Sequence, residues 1–180
     1  KHRPAENPPL LHIPVPDARF SVIHIDIVGP LHISNGYKYI LTMIDRTTRF
    51  PHAVPMQDIN AKTVAETFFR HWVPFFGVPT QIISDRGSQF TGSVWSNLCT
   101  YLGMRHVLTT AYRPETNGIV ERWHLDLKSA LRCKVENCAD WFDKLPIVLL
   151  GLRNVKSSES FNTPAEATFG RGHALPHSLL

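Results

Sequence analysis

A chain of 180 residues that is 43% hydrophobic and 19% charged has the length of one ordinary domain and is too apolar for a disordered one. Its 19 Lys and Arg against 15 Asp and Glu give a formal charge of +4, a mild basicity compatible with a polyanionic partner and equally with none. The longest apolar stretch, LPIVLLGL at 145–152, is far short of the ~20 residues of a bilayer-spanning helix; no signal peptide opens the chain, and three cysteines are too few for a disulfide framework, which points to a reducing compartment.

Pro4, Pro8, Pro9, Pro14 and Pro16 predict an extended lead-in, since each fixes φ and removes a backbone donor. Residues 1–19 therefore read as a Pro-rich linker ahead of a single domain over 20–180, and the opening Lys1 as the start of a piece cut from a longer product. Three strands are expected at FSVIHIDIVG (20–29), YKYILTMID (37–45) and FPHAVPM (50–56), joined by turns short enough for antiparallel hairpins. A helix over 61–77 follows, capped by Asn60 and stopped by Pro74, Gly77 and Pro79, with Val64, Ala65, Phe68, Phe69 and Trp72 at helical spacing. TQIISD (80–85) reads as a short buried strand, 92–103 as a helix, MRHVLTTA (104–111) as a fifth strand, and YRPETNG (112–118) as a loop. Two helices close the chain, over roughly 118–136 and 140–153. This order predicts an α/β fold: a five-stranded mixed sheet, three strands antiparallel and the others parallel, flanked by helices.

Alternation in VIHIDIVG puts Asp26 on one face with His24 and Val28, and Ile25 and Ile27 on the other. A carboxylate among so many β-branched neighbours is costly unless a cation neutralises it, and the same holds for Asp85 at the end of TQIIS. If the two strands are neighbours, both acids point at one place. In the helix that starts near Gly118, at about 100° per residue, Val120, Trp123, Leu127, Ala130 and Leu131 share the stripe that faces the sheet. Glu121, Leu125, Lys128 and Arg132 share an adjacent stripe, with His124 between the two. Three acids converging at neutral pH suit divalent cations with oxygen preference, and a pair of such ions about 4 Å apart suits in-line phosphoryl displacement.

Between Asp26 and Asp85 lie 58 residues, and between Asp85 and Glu121 lie 35. With HIDIVGP, YILTMIDRTTRFPHAVP, FGVPTQIISDRGSQF, YRPETNGIVERWHLDLKSAL and LPIVLLGLRN around them, the chain resembles the catalytic core of retroviral and retrotransposon integrases, the Ty3/Gypsy branch above all, from about Phe20 to beyond TPAEATFG. The resemblance implies an RNase H-like fold, with Asp26, Asp85 and Glu121 as catalytic residues that bind two Mg²⁺ or Mn²⁺ ions. It also implies a polynucleotidyl transferase that processes the 3′ ends of element DNA and transfers them to target DNA, an isolated core favouring the reverse, disintegration-type reaction. The implied partners are double-stranded DNA, at element ends and target, and further copies of the chain in a homodimer or higher homo-oligomer, with no membrane. The implied location is nucleus and cytoplasm, in a retrotransposon particle.

For DNA contact the resemblance points to a basic residue at Lys128, joined by Arg132 on its stripe; a solvated helix face explains both equally well. His124 fits the family's polar position three residues after the glutamate, or is a boundary histidine. Tyr112, Arg113 and Asn117 suit a DNA end by stacking and phosphate contact, although turn chemistry also accounts for Pro114, Asn117 and Gly118. Asp45 is explained by a hairpin turn and is not assigned to metal, and Cys133 and Cys138 read as free thiols. Phe69, Trp72, Trp141 and Phe142 read as core, to which the resemblance adds a dimer interface. Leu125 stands where relatives often carry Arg or Lys, and Asp126 adds a negative charge, which keeps open a domesticated or decayed core that binds DNA or protein without catalysis.

Overall fold

The computed structural model describes residues 18–109, 122–130, 140–156 and 160–176. Its centre is one five-stranded sheet in the order β3-β2-β1-β4-β5, formed by β1 (Val22–Val28), β2 (Tyr39–Asp45), β3 (Pro51–Met56), β4 (Gln81–Ser84) and β5 (Arg105–Leu108). The first three strands make the expected antiparallel meander. β4 lies parallel to β1 and β5 parallel to β4, as crossover connections require.

Helices cover both faces, so the central strands bury residues of both parities. On one face Ile23, Ile25, Leu41, Met43 and Ile82 pack against α1 (Ala61–His71), α3 (Ser88–Thr91) and α4 (Ser93–Leu102) through Phe68, Phe90 and Trp95. On the other, Val28, Ile40 and Ala53 meet α5, helical over 122–130, and α6 (Trp141–Arg153) through Leu127, Trp141, Leu145 and Val148. Among the described residues no helix is long and apolar enough to cross a membrane.

The helix expected over 61–77 is two helices, α1 and α2 (Val73–Phe76), broken at Trp72. Pro74 has no N–H for the carbonyl four residues back and its ring crowds that carbonyl, yet it fits the first turn of a new helix. Asn60 caps α1 as expected, accepting from the Thr63 N–H at 2.9 Å. Two elements had no expectation. The single turn α3 shows no periodic pattern, while α7 (Pro164–Phe169) carries a capping box, Thr163 with Glu166, behind Pro164. Within the segments read as core, Trp72 and Trp141 are buried and Phe142 stacks on Tyr37 at 4.9 Å, whereas Phe69 is 43% exposed. The expected loop 112–118, both ends of the helix expected over 118–136, and Cys133 and Cys138 lie outside the described residues.

Asp45 is a structural carboxylate. Fully buried at the end of β2, it accepts from the Phe20 N–H at 3.0 Å, the Thr48 N–H at 2.9 Å and the Thr48 hydroxyl at 2.7 Å. It ties the β2–β3 turn to the start of β1. Replacing it with alanine strands three donors, two of them buried, so Asp45→Ala should lose roughly 3 kcal/mol in urea unfolding, with Asp45→Asn losing less. A loss for Asp45→Ala below about 1 kcal/mol would mean that the turn is held by other contacts.

Candidate active site

The site grows from the pairing of β1 with β4. Val22 pairs with Gln81, Ile23 with Ile82 and His24 with Ile83. Carried on by two residues, that register sets Asp26 level with Asp85, on the face that bears α5 and α6. Asp85 is the first residue past the end of β4 and is exposed, its Oδ1 accepting from the Gly87 N–H at 2.9 Å in a local Asx turn. Asp26 lies inside β1 with its side chain 34% exposed, and its Oδ1 accepts from the Ile27 N–H at 2.7 Å. Burial raises the Asp26 pKa from 3.8 to about 6; the Ile27 N–H opposes that shift, the negative charge of Asp85 adds to it, and Lys128 opposes it again.

The third contributor is α5. Leu127 anchors this helix in the core with Trp123 and Ala130 against it, as the apolar stripe predicts. That docking turns His124 inward, its side chain 12% exposed, with Nδ1 3.4 Å from Asp26 Oδ2 and Nε2 2.8 Å from the Thr42 hydroxyl. Burial, helped by Lys128, lowers the His124 pKa to about 4. With the histidine pushed down and the aspartate pushed up, the 3.4 Å contact is no ion pair despite its length. Moreover, Thr42 Oγ1 donates to the Asp26 carbonyl at 3.0 Å, so it accepts from His124 Nε2–H. The neutral ring then turns a bare Nδ1 toward Asp26. A proton on the carboxylate, or a cation beside it, satisfies that contact. Lys128 is exposed one turn beyond His124, and Leu125 is 67% exposed.

Asp85 has a support of similar kind. The Ser84 hydroxyl donates to the Asp85 carbonyl at 2.8 Å and lies 2.8 Å from His106 Nε2, an imidazole whose pKa burial lowers. Neither Thr42 nor Ser84 was singled out from the sequence. The available signal was a lone hydroxyl residue inside the apolar run YILTMI and another directly before an acid.

Of the residues named from the sequence, Asp26, Asp85, His124 and Lys128 come together at one end of the sheet. Glu121, Tyr112, Arg113, Asn117 and Arg132 lie outside the described residues, and among the described residues there is no group of three or more metal-ligating side chains. The donor chemistry that is present fits a hard divalent cation: two carboxylates side by side, one of them half-buried and resisting ionisation in the absence of a counter-charge.

Residues 16–114 match the family described as integrase core domain. The chain is 31% identical over 170 residues to the retrovirus-related Pol polyprotein from transposon 412 of Drosophila melanogaster, covering 93% of this chain and 14% of the polyprotein. Among solved structures, the catalytic core domain of BIV integrase is similar with a TM-score of 0.64 and 25% identity, over 81% of this chain and 91% of that one. The HTLV-2 integrase catalytic core, solved in complex with magnesium in a trimeric form, shares the fold with a TM-score of 0.65 at 17% identity, over 81% of this chain and 94% of that one.

Without metal, the fold holds a proton on Asp26 that the unfolded chain gives up sooner. The stability this contributes is complete below the ordinary value of 3.8 and is lost as pH rises through about 6. A divalent cation on the carboxylate acts in the opposite sense. Millimolar Mg²⁺ is therefore expected to raise the thermal midpoint at pH 7.5 and to leave it unchanged at pH 5. Asp26→Asn should raise the metal-free midpoint at pH 7.5 by a few degrees, at about 2–4 °C per kcal/mol for a domain of this size, and abolish the response to Mg²⁺. An unchanged or lower midpoint for Asp26→Asn would contradict the strained carboxylate.

Proposed function

The chain belongs to the integrase core domain family, and from that membership we propose that it is the catalytic core of a retrotransposon integrase, a metal-dependent polynucleotidyl transferase of the DDE type. The observation that carries this reading is the level placement of Asp26 and Asp85 on two parallel strands, where the charge of Asp85 disfavours that of Asp26. Because the chain spans only 14% of the transposon 412 polyprotein, the activity, the substrates and the partners are part of the proposal.

Asp26 and Asp85, with Glu121 as the third acid of the motif, would hold Mg²⁺ or Mn²⁺; the HTLV-2 core of the same fold, solved with magnesium, supports that choice. Two bound ions, the number drawn from the family resemblance, would supply Lewis-acid stabilisation to the attacking and leaving oxygens of an in-line displacement at a phosphodiester. The residues of the chain do the rest. Asp85, exposed at the strand end, leaves the site open to a bulky polyanion. Asp26, backed by His124 and Thr42, keeps one orientation. Lys128, exposed beside them, offers a cation to a DNA phosphate. No protein nucleophile is required, since water attacks in 3′-end processing and the freed 3′-hydroxyl attacks in strand transfer. The DNA partners are element ends and target, the chain works as a homo-oligomer, and its place is a particle passing between cytoplasm and nucleus.

Two measurements test this. On a branched DNA substrate with Mn²⁺ or Mg²⁺, the chain should catalyse strand cleavage and disintegration. Asp85→Asn and Glu121→Gln should each lower the rate by ~10³-fold or more, the equivalent of several kcal/mol of lost charge stabilisation. A metal-independent signal, or one that survives both substitutions, would sink the reading. Lys128→Ala should weaken DNA binding across sequences and reduce the slope of log affinity against log salt by about 1. An unchanged slope would place Lys128 off the DNA.

A further inference from the structure

We propose that Thr42 and Ser84 are positioning residues for metal binding, each using one hydroxyl to hold the backbone of an acid and to fix a histidine. The inference rests on the reading of Asp26 and Asp85 as metal ligands and deepens it.

Both hydroxyls sit in the same hydrogen-bond pattern. A carbonyl can only accept, so the Thr42 proton is committed to the Asp26 carbonyl at 3.0 Å and the Ser84 proton to the Asp85 carbonyl at 2.8 Å. The oxygen lone pairs are left to accept, and a histidine Nε2 lies 2.8 Å from each: His124 for Thr42, His106 for Ser84. Each imidazole is thereby held in its Nε2–H form. Thr42 is 1% exposed and Ser84 is 2% exposed, so bulk water is not at hand to take over either bond.

The two hydroxyls act from opposite sides. Thr42 is paired directly with Asp26 across β1 and β2, on the face where the Asp26 carboxylate stands. Ser84, one residue before Asp85, points to the other face together with His106, whose ring meets Trp95 at 6.0 Å. The need is plainest at Asp85. The β4 ladder ends at Ser84, whose carbonyl accepts from the Thr109 N–H at 2.8 Å; the peptide beyond, which carries the Asp85 carbonyl, lies past the ladder, and the Ser84 hydroxyl bonds to it. Groups that orient metal ligands from behind typically account for 10–100-fold in metal affinity.

The test is calorimetric Mn²⁺ titration of the 180-residue chain, below the thermal midpoint of every variant compared. Thr42→Val, which keeps shape and strand propensity, and Ser84→Ala should each weaken Mn²⁺ binding by roughly tenfold or more. Thr42→Ser, which restores only the hydroxyl, should bind close to the parent chain. Asp26→Asn and Asp85→Asn serve as reference. If these two bind Mn²⁺ as the parent does, the metal-site reading itself fails. If they lose binding while Thr42→Val and Ser84→Ala retain it, the positioning role is wrong and the site stands. Equal weakness in Thr42→Ser and Thr42→Val would trace the effect to packing and likewise overturn the role. Should one variant not fold, the other decides.

Discussion

The site depends on the register between β1 and β4. A slip of one residue along either strand would send one acid to the opposite face, so the level placement of Asp26 and Asp85 is only as secure as the packing that prevents the slip. Both faces contribute. Ile23, Ile25 and Ile82 are locked against the helices on one side, and Val28 against α5 and α6 on the other. Because a central strand is packed on both faces, a slip would break the packing of both and carry an acid in among the apolar side chains of the other core. The apolar core thus sets the separation of two charges that would otherwise avoid each other.

That scaffold also fixes what surrounds the acids. Helix α5 is held by Leu127, with Trp123 and Ala130 packed on the same cluster, and this anchoring alone decides that His124 points into the sheet while Leu125 points to solvent. Helix α6 is tied to the chain that follows β1, with Trp141 Nε1 donating to the His32 carbonyl at 2.7 Å and Phe142 stacked on Tyr37. The strand end that carries the acids therefore opens beside fixed elements. In open α/β sheets, ligands bind outside the carboxyl ends of strands, where the order of connection reverses. β1 meets that description, with an antiparallel neighbour on one side and a parallel one on the other.

The sequence was most informative where periodicity and spacing coincide. The alternation in VIHIDIVG placed Asp26 on the correct face, and the apolar stripe of the helix at 122–130 placed Leu127 in the core. The five strands stand in the predicted arrangement. What stayed hidden depends on pairing between distant segments. Nothing local says that Thr42 lies opposite Asp26, or that His106 lies within reach of Ser84, because both facts follow from strand register. Single-turn α3 is too short to show a period, and the break at Trp72 reflects competition between a continuous apolar stripe and one proline. The capping box at Thr163 was readable, with Pro164 and Glu166 in their expected places, and marks a helix that the pattern of apolar residues alone does not.

Asp45 and Asp26 sharpen the distinction between a structural acid and a functional one. Both are acids in adjacent strands, and composition treats them alike. Asp45 is fully buried, and three donors engage its two oxygens, so its charge is already compensated by the turn it organises. Asp26 is less buried, yet among the described residues only the Ile27 N–H donates to its carboxylate, while its other oxygen meets an imidazole nitrogen that the Thr42 bond leaves without a proton. Burial therefore raises the pKa of Asp26 by more than the Ile27 N–H and Lys128 lower it, and the charge of Asp85 adds to the shift. An acid that the fold satisfies has no use for a ligand. One that the fold buries and orients from behind, with fewer donors among the described residues, suits the cation of the proposed metal site, and that distinguishes Asp26 from its neighbour.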